Sequence, residues 1–136
     1  MSSHKKDKGH GHRFWVVPDG YLASSPGVVP GPSGYFSHES VCILNDGPDA
    51  ASCILNIYFE DSDPMQGIPF EVGAERSLHL RLDRVQDRDG QLLPRDRPYS
   101  LTVASSRNIV VQHSRLDTSQ ENLALFTTMA FPVPEE

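Results

Sequence analysis

The densest group of chemically capable side chains lies in residues 112–117, which read Gln-His-Ser-Arg-Leu-Asp. In a β-strand, alternate residues project from one face, so His113, Arg115 and Asp117 would follow one another at steps of roughly 7 Å. A planar guanidinium held by a neighbouring carboxylate offers donors to a carboxylate, a phosphate or sugar hydroxyls. These three residues, with Gln112 beside them, are therefore candidates for binding a ligand or partner. The alternative is a surface ion pair at a sheet edge, which would stabilise the fold little.

A second group, Ser37-His38-Glu39, has the residue types of a catalytic triad. Adjacent strand residues point to opposite faces, so these three cannot converge within one segment. His38 and Glu39 could join His113 in a metal site if their strands were neighbours, but only one of the two would share its face. Metal ligation in most catalytic sites needs three converging protein groups. We therefore predict no catalytic and no metal site, and keep His38 and Glu39 as candidates for binding a ligand or partner.

Motifs for phosphate or nucleophile chemistry do not occur in the chain. It has no Walker pattern, no GxGxxG and no GxSxG, so we expect no cofactor and no enzymatic activity. Trp15 and Tyr21 are further candidates because aromatic rings stack on sugars and on partner proteins; the alternative for Trp15 is a place in the core. Cys42 and Cys53 flank a turn-forming stretch at 45–49, and a symmetric hairpin there would place them opposite each other. We expect both to be reduced.

The elements that must position these residues are short β-strands. Residues 51–60 show the period of two most clearly, with alternate apolar side chains from Cys53 to Phe59 facing inward. A charged stretch over 83–98 is expected to be an exposed loop, and residues 24–34 another loop rich in Pro and Gly. The predicted strands cover 14–17, 36–44, 51–60, 68–72, 76–82, 99–104, 107–116 and 122–131. The fold class is therefore all-β: a single antiparallel β-sandwich or jelly-roll-like domain of about eight strands.

The charge is unevenly distributed along the 136 residues, whose formal net charge is −6. The first thirteen residues hold all three lysines, Arg13 and one acid, a balance of +3, which leaves −9 for residues 14–136. We predict a disordered basic, His-rich arm at 1–12 and the β domain at 13–136. An acidic body disfavours nucleic acid as its partner. No apolar run approaches the ~20 residues of a membrane span, and no apolar export signal is visible, so we expect a cytoplasmic protein.

Several of these segments carry a resemblance to a known family. Residues 13–22 (RFWVVPDGYL), 36–45 (FSHESVCILN) and 109–117 (IVVQHSRLD), followed by 119–125 (SQENLAL), are similar to the soluble, cyanobacterial-type sensory-rhodopsin transducers. The blocks occur in the same order, and the resemblance spans about residues 13–131. The arm before His12 and the Arg- and Asp-rich stretch 83–98 depart from the family pattern.

The resemblance implies a jelly-roll-like sandwich that assembles as a C4-type tetramer without catalytic activity. It also implies protein–protein signalling at the cytoplasmic surface of a microbial rhodopsin. We predict a non-enzymatic signalling or interaction protein that docks as a homo-oligomer on a partner. One alternative is a module that binds a sugar or an anionic metabolite through His38, Gln112, His113 and Arg115. The resemblance of the fold to carbohydrate-binding sandwiches keeps this small-molecule alternative open. A weaker alternative is a DNA-binding regulator, because DNA binding has been associated with the family.

Overall fold

All the regular secondary structure in the described part of the chain is antiparallel β-strand. The computed structural model describes residues 8–24, 37–118 and 123–135. The strands are β1 (His12–Tyr21), β2 (His38–Asn45), β3 (Ala51–Phe59), β4 (Met65–Val72), β5 (Arg76–Arg81), β6 (Pro98–Asp117), β7 (Ala124–Met129) and β8 (Phe131–Pro132). The prediction of an all-β, antiparallel fold with about eight strands is confirmed. Nowhere in these residues does a helix of membrane-spanning length and apolarity occur.

Strand β6 organises the fold because it takes part in two groups of strands. Its first half pairs with β1 and β3, and its second half pairs with β2 and β7. The pairing with β1 passes from Ile109 directly to Ala104, so the strand bends over residues 105–108. The sequence predicted separate strands at 99–104 and 107–116. That division is wrong: the polar residues at the bend interrupt the apolar pattern but leave the backbone extended through all 20 residues.

Both groups of strands contribute to a single hydrophobic core. One group has the order β4-β3-β6-β1-β8, and the other consists of β5, β2, β6 and β7. The alternation predicted for β3 is observed, since Cys53, Leu55 and Ile57 are buried. Burial of each large aliphatic side chain stabilises the fold by roughly 1.5–3 kcal/mol. The core also contains Val41 and Val111 from the second group, so the two groups are held together mainly by apolar packing.

The turn at 45–49 connects the two groups of strands and does not form the expected hairpin. Strand β2 pairs with β5 and β6, whereas β3 pairs with β4 and β6. Cys42 and Cys53 are therefore not on paired strands, and both thiols are free. Asn45 fixes the turn from inside: its Nδ2 donates to the carbonyls of Asp49 (2.9 Å) and Val72 (3.2 Å), while its Oδ1 accepts from the backbone N of Gly47 (3.1 Å).

The charged stretch 83–98 is only partly the exposed loop that its composition predicted. Val85 and Leu93 are buried in the core. Arg95 extends across the end of the fold, where its Nη1 donates to the carbonyls of Ala23 (2.7 Å) and Ser37 (3.1 Å). Apolar residues spaced through the charges therefore tie this segment to the body.

The last residues of the predicted arm at 1–12 contact the folded body. The His10 ring Nδ1 lies 2.6 Å from Asp46 Oδ2, and the His10 backbone N donates to Asp46 Oδ1 (2.7 Å). Residues 1–7, most of the predicted loop at 24–34, and residues 119–122 lie outside the described residues. The division of the chain at residue 12 stays a prediction.

Candidate functional site

A carboxylate on β2 lies at the centre of a buried polar cluster. Antiparallel pairing places Glu39 opposite Arg115 and Val41 opposite His113. Directly paired residues share a face, and alternate residues of one strand do as well. Glu39, His113 and Arg115 therefore converge on the inward face, where the side chains of Glu39 and His113 are completely buried.

Four donors surround the Glu39 carboxylate. Oε1 accepts from the hydroxyl of Tyr99 and lies 3.3 Å from His113 Nε2. Oε2 accepts from Arg115 Nε and from the backbone N of Tyr21 at 3.1 Å. An ionised carboxylate is an acceptor only, so this set matches its hydrogen-bonding capacity. The cluster joins β1, β2 and both halves of β6.

The position of Tyr99 depends on a glycine in β1. Pairing runs from Val17 opposite Leu101 to Gly20 opposite Tyr99, so β1 contains one extra residue and forms a bulge. A Cβ at position 20 would lie 2.7 Å from the Tyr99 hydroxyl oxygen and nearer still to its ring. Only glycine leaves room for the ring to pass over β1 and reach Glu39.

Sequence reasoning missed Tyr99, although a signal for it exists. Tyr99, Leu101 and Val103 alternate along β6, and all three are buried. A tyrosine on the inward face of a strand needs a partner for its hydroxyl. That requirement, applied to the predicted strand at 99–104, would have pointed to a polar group inside the core.

The electrostatics of the cluster keep Glu39 charged and Tyr99 neutral. Burial by itself would raise the pKa of Glu39, but hydrogen bonds from His113, Tyr99 and Arg115 outweigh burial and lower the pKa below its ordinary value of 4.5. Burial, followed by the charge of Glu39, raises the pKa of Tyr99 far above its ordinary value of 10.0. Neither group is poised to exchange a proton near neutral pH. The arrangement is suited to holding strands in place and not to acid–base chemistry.

His113 is the least satisfied member of the cluster. Its Nε2 faces Glu39, while its buried Nδ1 has no hydrogen-bond partner among the described residues. With Nε2 as the donor, Nδ1 is left as an acceptor. Across the described ranges, no group of three or more His, Cys, Asp and Glu side chains is placed to hold a metal ion.

Two of the predicted binding residues do not face this cluster. His38 pairs with Leu116 and so lies on the opposite face of the sheet from Glu39 and Arg115. Gln112 also faces outward, where its Nε2 donates to Thr127 Oγ1. The expectation that His38, Gln112, His113 and Arg115 converge in one pocket is therefore wrong, because the strand alternation separates them.

The remaining predicted binding residues are Trp15, Tyr21 and Asp117, and their surroundings differ. Trp15 is only 4% exposed, and its Nε1 donates to the carbonyls of His12 and Ile109, both at 3.0 Å. It is a core residue, and its predicted role as a stacking surface is corrected accordingly. Tyr21 is partly buried and contributes its backbone N to the cluster. Asp117 is the last residue of β6 and pairs with Ala124 of β7.

Arg115 connects the cluster to an exposed strand. Its Cζ lies 5.9 Å from the centre of the Phe126 ring in β7. Every residue of β7 is exposed, and within the described residues β7 pairs only with β6. We define the β7 patch as the large apolar side chains of this strand and of β8: Leu125, Phe126, Met129 and Phe131. The choice of strand over helix for residues 122–131 is confirmed at 124–129.

Known proteins are similar to this chain in both sequence and fold. The model of the family described as Anabaena sensory rhodopsin transducer matches residues 10–132. The crystal structure of Thermotoga maritima 1070 is 34% identical, with a TM-score of 0.79 over 93% of this chain and 99% of that one. The solved Anabaena sensory rhodopsin transducer is 33% identical, with a TM-score of 0.68 over 79% of this chain and 98% of that one. No curated protein gives a significant match. The chain therefore belongs to the Anabaena sensory rhodopsin transducer family.

Proposed function

We propose that this chain is a non-enzymatic signalling protein that works as a homo-oligomer and docks on a partner protein. Membership of a transducer family supports a signalling or interaction role. The C4-type tetramer implied by the resemblance is the assembly we favour. The observation that carries the proposal is the β7 patch.

The β7 patch has the properties of a surface that another subunit covers. Leu125 is 73% exposed, Phe131 65% and Met129 57%. A long apolar edge strand left open to solvent would promote uncontrolled strand pairing. Leu125 and Met129 lie on the same face of β7, and apolar groups exposed together on a protein surface commonly mark an interaction site. A second copy of the chain, which brings the same apolar surface, would cover the patch in a closed assembly.

The partner we propose is a microbial rhodopsin or another signalling protein of the cytoplasm. The support is that one relative, which is 33% identical to this chain, is a sensory rhodopsin transducer. A rhodopsin gene in the source genome, and co-purification of that rhodopsin in detergent with the tagged chain, would be the expected result. A source genome without any rhodopsin gene would exclude this partner and leave the other signalling proteins.

Neither alternative function gains support from the site. A sugar or anion site built on His38, Gln112, His113 and Arg115 would need side chains that lie on opposite faces of the sheet. A role in DNA binding would have to overcome the −9 charge of residues 14–136, which repels phosphate.

Light scattering coupled to size-exclusion chromatography tests the oligomer. We expect the unaltered chain to elute as a tetramer and Leu125→Glu or Met129→Glu to shift the mass to the monomer, because a buried unpaired carboxylate opposes association. Leu92→Glu is the matched control, since Leu92 is also exposed (52%) but lies outside the β7 patch. A monomeric unaltered chain, or an equal effect of the control, would refute the role of the patch.

A further inference from the structure

The open side of the fold, between the free edges of β4 and β5, contains a groove of about 390 Å³. Strand β4 ends one group of strands, and β5 ends the other. Phe70 pairs opposite the buried Cys53, and Leu80 opposite the buried Val41, so both side chains face inward from their edges. The hydrophobic core therefore reaches the surface along this groove.

The floor of the groove is apolar and is only partly covered. Ile68 and Val85 are buried beneath it, while Phe70 and Leu80 pack against the core and keep part of their surface exposed. A volume of this size lies within the range of small-molecule sites, which is roughly 300–1,000 Å³. An apolar group placed on Phe70 and Leu80 would extend the core that the two edge strands leave open.

The charge of the groove is opposite to that of the protein body. His79, Arg81 and Arg84 line it, and none of its nine lining residues, all within the described ranges, carries a carboxylate. By contrast, residues 14–136 as a whole carry a net charge of −9. Arg81 is already neutralised, because its Nε and Nη2 each lie 2.8 Å from a carboxylate oxygen of Asp83. Arg84 makes no ion pair with any described residue, so its guanidinium is available to a ligand.

We propose that this groove binds a small organic anion: an acidic head group held by Arg84 and an apolar body laid on Phe70 and Leu80. An Arg guanidinium suits a planar or multi-oxygen acid because it donates several hydrogen bonds at once. The site lies on β4, β5 and the segment after β5, apart from the β7 patch, so it is independent of the proposed oligomer and partner.

Two fluorescent probes test the site. The first is 8-anilinonaphthalene-1-sulfonate, an organic anion with an apolar body, and the second is N-phenyl-1-naphthylamine, which has a similar body without the charge. A charge-assisted hydrogen bond contributes enough that Arg84→Ala should weaken the sulfonate about tenfold or more. The neutral probe should bind Arg84→Ala and the unaltered chain equally. Arg88→Ala, an exposed arginine of the same segment outside the groove, should bind both probes as the unaltered chain does.

The outcome separates a site at the groove from binding elsewhere. Sulfonate bound at the β7 patch would be unaffected by Arg84→Ala, and that result would overturn the proposal. Equal weakening by Arg84→Ala and Arg88→Ala would also overturn it, because it would indicate only a general effect of charge. The urea midpoint of Arg84→Ala should match that of the unaltered chain. Leu125→Glu should keep the Arg84-dependent binding, so failure of the oligomer proposal and failure of this one are distinguishable.

Discussion

Replacing Glu39 by Gln tests whether the buried carboxylate holds β1, β2 and β6 together. The amide keeps the shape of the side chain but substitutes an NH₂ donor for one acceptor oxygen. In one orientation the NH₂ group would point at Arg115 Nε and the backbone N of Tyr21, which are both donors. In the other orientation it would point at Tyr99 and His113, which would then have to accept a hydrogen bond instead of donating one. In either orientation Arg115 loses its anionic partner.

The magnitude follows from the four hydrogen bonds. A bond to a charged group contributes about 1 kcal/mol more than a bond between neutral groups. Over four bonds the loss approaches 4 kcal/mol, and the smaller desolvation cost of a neutral amide offsets part of it. We therefore expect Glu39→Gln to lower the free energy of unfolding by about 2–4 kcal/mol, a large share of the ~5–15 kcal/mol typical of a domain.

The pH dependence gives a second, independent signature. The pKa of Glu39 in the folded chain lies below 4.5, its ordinary value and that of the unfolded chain. Its stabilisation is therefore fully present above about pH 4.5 and is lost as the pH falls towards the folded-state pKa. The difference in stability between the unaltered chain and Glu39→Gln should be largest near neutral pH and should narrow in acid.

Equilibrium urea unfolding at several pH values measures both effects. Glu71→Gln is the control, because Glu71 is an exposed carboxylate on β4, and it should change stability by less than about 0.5 kcal/mol. A loss below about 1 kcal/mol in Glu39→Gln, or a difference that stays constant down to pH 3, would refute the reasoning.

Two further predictions concern packing and thiol exposure. Gly20→Ala should lower the free energy of unfolding by about 1–3 kcal/mol, because the added methyl group overlaps the ring of Tyr99. Gly73→Ala, whose methyl group would meet only a flexible side chain, should change the urea midpoint little; equal effects of the two would contradict the packing argument. Burial raises the pKa of the Cys53 thiol, so this thiol should react slowly with a disulfide reagent. Cys53, measured alone in Cys42→Ser, should therefore react far more slowly than Cys42, measured alone in Cys53→Ser. Similar rates for the two variants would show that Cys53 is accessible in the folded chain.

Much of the strand architecture could be predicted from local patterns. The alternation around Leu55 in β3 reports burial on one face, which is a property of neighbouring residues along the chain. The joining of 99–104 to 107–116 could not be predicted in this way. Whether the polar residues 105–108 turn the chain or merely bend it depends on the strands that pair on either side.

The candidate site shows the same division between local and long-range information. The placement of His113 and Arg115 on one face follows from their spacing, and the exclusion of a triad at 37–39 follows from alternation. That this face is buried follows only from the packing of the strands. Which carboxylate meets Arg115 depends on the register of β2 against β6, and this register selects Glu39.

The all-β class, the faces of individual strands and the membership of a transducer family can be read from the sequence, because each is encoded in local periodicity or in contiguous residue blocks. Tertiary structure alone decided that Tyr99 reaches Glu39 over Gly20, that β7 is left exposed and that an apolar, cationic groove lies between β4 and β5. Each of these features depends on strand order and register between residues far apart in the chain. Long-range pairing is set by the packing of the whole core, and no short segment contains that information.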